Sequence, residues 1–260
     1  LKNKNEGSLN TTLIAICVFL VFFLIFDLDI WFILLCLLVL FLFKDNNGKD
    51  IVYEMEIREE FNTAIKELEI DINTGIGELK IDSLDHVDYL YELGTAKAGE
   101  YRPVVDYSEK EEAGYLKISQ RNDIKFIGKN KWKLNLHPLF THTIDINIGM
   151  GRFNFSLENL KIKDLRIKSG LARLNVFLGQ DTEAMKLKMA VSNISLNLPE
   201  GKAVSIKMDT LICNNNFTDR GLIKTGEYYK SPDFETASDK LEIEINSPLS
   251  YLQLHYYKAD

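Results

Sequence analysis

Five segments of the chain share one twelve-residue pattern and align without gaps: IDINTGIGELKI (70–81), IDINIGMGRFNF (144–155), LRIKSGLARLNV (165–176), MKLKMAVSNISL (185–196) and IEINSPLSYLQL (243–254). The shared form is Φ-x-Φ-x-x-(G)-Φ-small-x-Φ-x-Φ. The first apolar column is Ile70, Ile144, Leu165, Met185 and Ile243, and the second is Ile72, Ile146, Ile167, Leu187 and Ile245. The third is Ile76, Met150, Leu171, Val191 and Leu249. The fourth is Leu79, Phe153, Leu174, Ile194 and Leu252, and the fifth is Ile81, Phe155, Val176, Leu196 and Leu254. Alternation with period two is the signature of a strand with one buried face. The step from third to fourth column breaks that period by one residue. Each segment therefore reads as two short strands meeting at a corner, with a bend or bulge at the small residue restoring the inward direction. The structural corner residues are Gly75, Gly77, Gly149, Gly151, Gly170, Ala172, Ser192 and Ser250. Pro248 marks its copy as an edge or terminal one, because proline cannot donate to a ladder.

The three central copies start 21 and then 20 residues apart. A fixed period of that size suits one coil of a β-helix or solenoid, whose equivalent columns stack into a continuous core. The expected fold is mainly β: a β-helix-like, stacked domain, with a first β subdomain over 64–157 and a second over 158–257. Short strands in the longer gaps, such as YLKISQ, KWKLNLH and AVSIKM, read as extra rungs and excursions. A β-sandwich with a recurrent hairpin is the competing template. The stretch EMEIREEFNTAIKELEIDI opens as either a short helix or an amphipathic strand.

Ahead of the repeats the composition changes. Leu13–Phe26 and Ile30–Phe43 are two apolar runs flanking Asp27, Leu28 and Asp29. One continuous helix would place two carboxylates near mid-bilayer, at roughly 2.5–3.5 kcal/mol each. A helical hairpin puts both aspartates in water at the far turn and Trp31 at the interface, although each arm is short. A cleaved signal peptide is a third reading, with no small-x-small site before the second run. The expected organisation is a polar tail (1–10), a transmembrane segment (11–44) read as a hairpin, and a linker (45–63). Lys2 and Lys4 precede the first run, and Lys44 and Lys49 follow the second. The positive-inside rule then keeps both ends, and the β domain, on the cytoplasmic side of the cell membrane.

Chemistry is sparse. A net charge of −7 excludes a general nucleic-acid binder, which needs a basic surface. The G-I-G and G-M-G runs sit inside strand corners and not before a helix, so they do not form a phosphate loop. His86, His137, His142 and His255 are scattered, and the His137/His142 pair offers too few ligands for zinc. Cys17 and Cys36 lie in the apolar segment; Cys213 stands alone and reads as a structural residue or free thiol. Asp106, Glu109, Glu111 and Glu112 read as a solvated hairpin tip, with calcium binding as the functional alternative. Asn10, Asn154, Asn193 and Asn216 fit N-x-S/T, a pattern that matters only in a eukaryotic secretory pathway. No catalytic, cofactor-binding or metal-binding residue is expected, and no cofactor.

The stretches KELEIDINTGIGELKI, TIDINIGMGRFNFSLENLKIKDLRIKSGLARLNVFLG and SPDFETASDKLEIEINSPLSYLQL resemble the toast-rack domain family and the related C-terminal domain of LiaF-like, cell-wall-active antibiotic response proteins. Adhesin β-helix domains share the same corner. The resemblance covers about residues 64–257, and the DLDIWFILL turn looks like the membrane segment of such proteins. It implies a stacked β domain without catalytic residues. It also implies membrane proteins that restrain an envelope-stress histidine kinase. The expected function is a membrane-anchored, non-enzymatic interaction module whose partners are the lipid bilayer and a membrane histidine kinase or other membrane protein. The alternative is a surface or adhesin-like structural domain facing outside.

Overall fold

The structure is a computed structural model that describes residues 53–85, 88–96, 103–120 and 130–258. The expected polar tail, transmembrane hairpin and first part of the linker lie outside the described residues, as does His86. The described residues belong to one compact unit, Lys49–Asp260. Every regular element among them is a strand. The first group is β1 (Tyr53–Glu60), β2 (Glu67–Ser83), β3 (Tyr89–Ala96), β4 (Val104–Lys110), β5 (Ala113–Ser119) and β6 (Asn130–Leu136). The long central strands are β7 (Thr141–Leu157), β8 (Lys161–Leu178) and β9 (Thr182–Pro199). They are followed by β10 (Ala203–Asp209), β11 (Ile212–Asn215), β12 (Ile223–Thr225), β13 (Tyr228–Lys230), β14 (Lys240–Asn246) and β15 (Leu249–Tyr257). The opening stretch that read as helix or strand is a strand, β1, and it falls within the segment expected as linker.

The repeat columns are register partners. β2, β7, β8 and β9 pair in parallel, setting Ile70 beside Ile144, Leu165 and Met185, and Leu79 beside Phe153, Leu174 and Ile194. β14 and β15 together form the fifth copy, Ile243 beside Met185 and Leu252 beside Ile194. Two further rungs complete the stack. β5 and β6 pair in parallel with the two halves of β2. β10 and β11 pair in parallel with β14 and β15. The stretches YLKISQ, KWKLNLH and AVSIKM are therefore rungs. The pairing of β7 with β8 runs the length of both strands, so the stack is continuous across residues 157 and 158.

The fifth copy does not lie at the edge. It is inserted between β9 and the β10–β11 rung, which precedes it in sequence. Pro248 is tolerated there because it sits in the break between β14 and β15, where no ladder donor is needed. Its carbonyl accepts from the N–H groups of Leu211 and Ile212 at 3.2 and 2.8 Å.

Each long strand bends between two arms of one sheet, and the apolar columns of both arms enclose a single core. Trp132, Phe153, Phe155, Leu68, Ile72 and Leu79 are among its fully buried side chains. At about 1.5–3 kcal/mol for each fully buried large apolar side chain, the stacked columns are the main favourable term. The ends are closed by different means. Antiparallel β4, β3 and β1 cover one end, and β13 with β12 covers one arm of the other. Between β11 and β12 the chain buries Phe217 and Leu222.

The corner differs from expectation in one respect. Inward positions in the first half run 70, 72, 74, and in the second half 77, 79, 81. The phase slip leaves two consecutive residues outside both series. In β8, Gly170 is exposed and Leu171 half-buried, while Ala172 is only 1% exposed. The small column therefore faces the crowded interior of the bend, and the third apolar column lies on its outer side.

Candidate functional surfaces

The corner residues are brought together by register. Gly77, Gly151, Ala172, Ser192 and Ser250 form one row, and Gly75, Gly149 and Gly170 belong to the turn just before it. Inside the bend the Ser192 and Ser247 hydroxyls lie 2.8 Å apart, and Ser247 donates to the Leu249 carbonyl at 3.2 Å. A Cβ at Gly149 would lie 2.7 Å from the Gly75 carbonyl oxygen, and one at Gly170 2.8 Å from that of Gly149. Close approach of neighbouring backbones thus selects glycine at these two positions.

On the outer side of the bend the third column forms a ridge. Ile76, Met150, Leu171, Val191, Leu249 and Ile212 are successive register partners on six rungs. Exposure grows along it, to 42% at Leu249, 69% at Ile212 and 86% at Leu211. Two rows run beside the ridge. One is Asn73, Asn147, Lys168, Lys188 and Asn246; the other is Glu78, Arg152, Arg173, Asn193 and Tyr251. Sequence reasoning placed the third column in the core because alternation from residue 70 through 72 and 74 reaches 76; in the structure the slip falls before residue 76, and the second series, 77, 79 and 81, leaves it outside.

The outer face of the first arm is charged in rows. Lys117, Asp71, Asp145, Arg166, Lys186, Glu244 and Lys207 are consecutive partners across seven strands. Arg166 binds Asp164 at 2.6 Å and lies 3.8 Å from Asp145, and Asp164 above all raises its pKa further. A groove of about 820 Å³ crosses this face, with Lys163, Arg166, Lys186, Lys207 and Lys230 opposed by Glu69, Glu242 and Glu244, and Tyr228 and Phe234 at one side. Such a surface is suited to a partner with complementary rows of charge.

The remaining candidates have structural surroundings. His137 and His142 are fully buried. The His137 ring stacks on Phe61 at 4.8 Å and accepts from the Leu139 N–H at 3.2 Å through Nδ1. His142 Nε2 donates to the His137 carbonyl at 2.9 Å. Burial lowers the His142 pKa to about 4, so the ring is neutral. Cys213 is half-buried and packs against the core. His255 is half-buried on β15. The acidic stretch is the β4–β5 hairpin, with Glu111 at φ +58° in its turn. Glu112 binds Lys66 at 2.7 Å, and Glu109 accepts from Asn62 and the Tyr107 hydroxyl at 2.8 and 2.9 Å. Burial, and then the bond to Glu109, push the Tyr107 pKa up. Among the described residues no group of three or more His, Cys, Asp or Glu could hold a metal ion. No helix among them is long and apolar enough to cross a membrane.

These observations define a capped, in-register parallel β rack whose distinctive groups lie on its surface. The chain belongs to the toast-rack family: the family described as "N-terminal domain of toast_rack, DUF2154" matches residues 44–197. No curated protein matches the sequence. Among solved structures, the fold is similar to that of a putative cell adhesion protein from Clostridium sporogenes, at 21% identity and a TM-score of 0.68, covering 80% of this chain and all of that one. A putative adhesin from Bacteroides fragilis aligns over 81% of this chain and 98% of its own at 11% identity, with a TM-score of only 0.28.

Proposed function

We propose that the chain is a membrane-anchored, non-enzymatic interaction module that regulates an envelope-stress sensor kinase. The observation that carries this reading is the outer face of the first arm, where one row of charged side chains runs unbroken across seven strands. A rigid repeated face presents many contacts without a pocket chemistry. The apolar sequence 13–43 supports anchoring, which raises the effective concentration of the domain near a membrane partner. The resemblance to LiaF-like proteins supports the regulatory role. Crosslinking in intact membranes followed by affinity capture tests this function. Capture of a sensor kinase, lost when Arg166 and Lys186 are both replaced by Glu, is the expected result. Recovery of no membrane protein overturns it.

A second reading, a surface domain facing outside, draws on the description of the Clostridium sporogenes structure as a cell adhesion protein. Protease protection in oriented vesicles separates the two. The cytoplasmic reading expects the β domain to resist protease added outside the cell.

A further inference from the structure

We infer that the outer ridge of the bend is a seat for an anionic bilayer surface, so that the rack lies against the membrane on this edge. The inference rests on the anchored reading above and adds which face meets the lipid.

The apolar part comes first. Six stacked rungs place one aliphatic or thioether side chain each on the ridge, at the strand spacing of about 4.8 Å. The line is therefore about 24 Å long. It ends in Leu211 and Ile212, the two most exposed large apolar side chains among the described residues. The ridge is half-buried from Ile76 to Val191 and exposed at Leu249, Ile212 and Leu211, and an apolar line that opens in this way marks a contact site. Tyr251, 42% exposed, stands beside that end, an amphipathic ring of the type favoured at headgroup depth.

Charge selects the occupant. The chain as a whole is acidic, at −7. Yet the rows bordering the middle of the ridge carry Lys168 and Lys188 on one side and Arg152 and Arg173 on the other. An apolar line between basic borders matches acyl chains beneath anionic headgroups. A second copy packed ridge to ridge would oppose these basic borders to one another, which disfavours self-association. Reach agrees with the lipid surface. Only residues 44–52 separate Phe43, the end of the apolar sequence, from β1. Nine extended residues span about 30 Å at most. A domain on so short a tether meets the bilayer constantly, and an uncovered apolar edge on it has lipid within range.

The test uses the full chain with Cys17, Cys36 and Cys213 replaced by Ser and an environment-sensitive fluorophore on Leu211→Cys. A control chain carries the fluorophore on Lys117→Cys, on the outer face of the first arm. Each is reconstituted into phosphatidylcholine vesicles with and without phosphatidylglycerol. Co-flotation reports anchoring, and emission with quenching by brominated lipid reports depth. The expected result is flotation in both compositions, with a blue-shifted, lipid-quenched label at 211 only when phosphatidylglycerol is present. That shift is lost in high salt and in the Lys168→Glu/Lys188→Glu chain, and the label at 117 stays in water throughout. Flotation with a water-like label at 211 overturns the ridge assignment and leaves anchoring intact. Failure to float overturns both. A shift that is independent of lipid charge and grows with protein density identifies a second copy on the ridge and also overturns the lipid assignment.

Discussion

Gly149→Ala and Gly75→Ala form a matched pair: the same substitution, in the same column, on adjacent rungs. At Gly149 the new methyl would sit 2.7 Å from the Gly75 carbonyl oxygen. Even the close C–H···O contacts between neighbouring strands keep carbon and oxygen about 3.3–3.6 Å apart. The two strands must therefore open by roughly 0.6 Å at the bend, where backbone and not a flexible side chain is in the way. Forcing such a shift in a packed region costs about 1–3 kcal/mol. Restricting the unfolded chain returns about 0.4–1 kcal/mol. A net loss of about 1–2 kcal/mol remains, which lowers Tm by about 2–8 °C for a domain of this size. At Gly75 the nearest atom to the added carbon is Gln120 Oε1 at 3.5 Å, an ordinary contact. Only the unfolded-state term operates there, so Gly75→Ala is neutral or stabilising by up to about 1 kcal/mol. Gly170→Ala, 2.8 Å from the Gly149 oxygen, should follow Gly149→Ala. Urea and thermal unfolding of the purified chain, read by the emission of buried Trp132, give the comparison. Equal effects at 75 and 149, or the reverse order, would refute close backbone approach as the reason for glycine at the corner.

Three further outcomes follow from particular contacts. His142 has a folded pKa of about 4 against an ordinary 6.5, so the unfolded chain binds more protons between those values. Stability is full above about pH 6.5 and falls by up to about 3 kcal/mol as the pH drops through 4; His142→Leu, in a column with Leu68 and Ile162, should flatten that part of the profile in urea titrations at stepped pH. Lys202 is buried and binds Asp239 and the Gln180 carbonyl. Because Asp239 is itself half exposed, Asp239→Ala should cost about 1–3 kcal/mol by denaturant unfolding, less than a fully buried pair would lose. Removing residues 240–260 deletes the rung between β9 and β10–β11; hydrogen exchange should show protection lost across β10–β13 and retained in β7 and β8.

The stack was legible from the amino acids because its side chains repeat in register. All five apolar columns, and the small column, are ladder partners in the structure. Parallel in-register pairing makes sequence alignment and spatial contact the same relation. The side on which the third column lies is not legible in the same way: alternation from Leu165 forward, through 167 and 169, puts Leu171 inward, alternation from Val176 backward puts it outside, and the pattern does not say on which side of Leu171 the slip falls. The place of the fifth copy was not legible either. Nothing in IEINSPLSYLQL says that it enters between β9 and a rung already formed by earlier residues, since the column pattern gives no order. The charged row on the first arm was not legible, because alternation of Lys and Glu within one strand does not reveal the sequence of signs across seven strands. Capping by Phe217 and Leu222 was hidden because isolated apolar residues in a polar loop carry no period.

The late position of β14 and β15 has a bearing on how the molecule is made. Synthesis proceeds from the amino end, and domains tend to fold as their residues emerge. Here β9 can stack on β8 as soon as it appears, but the slot beyond β9 belongs to residues 240–257. Until residues 240–257 leave the ribosome, β9 ends the stack with an open parallel edge and β10 has no parallel neighbour. An open edge of that kind recruits other chains. Completion of the rack thus waits for residues 240–257, and a chain stalled before they emerge is the species that chaperones and proteases would have to handle.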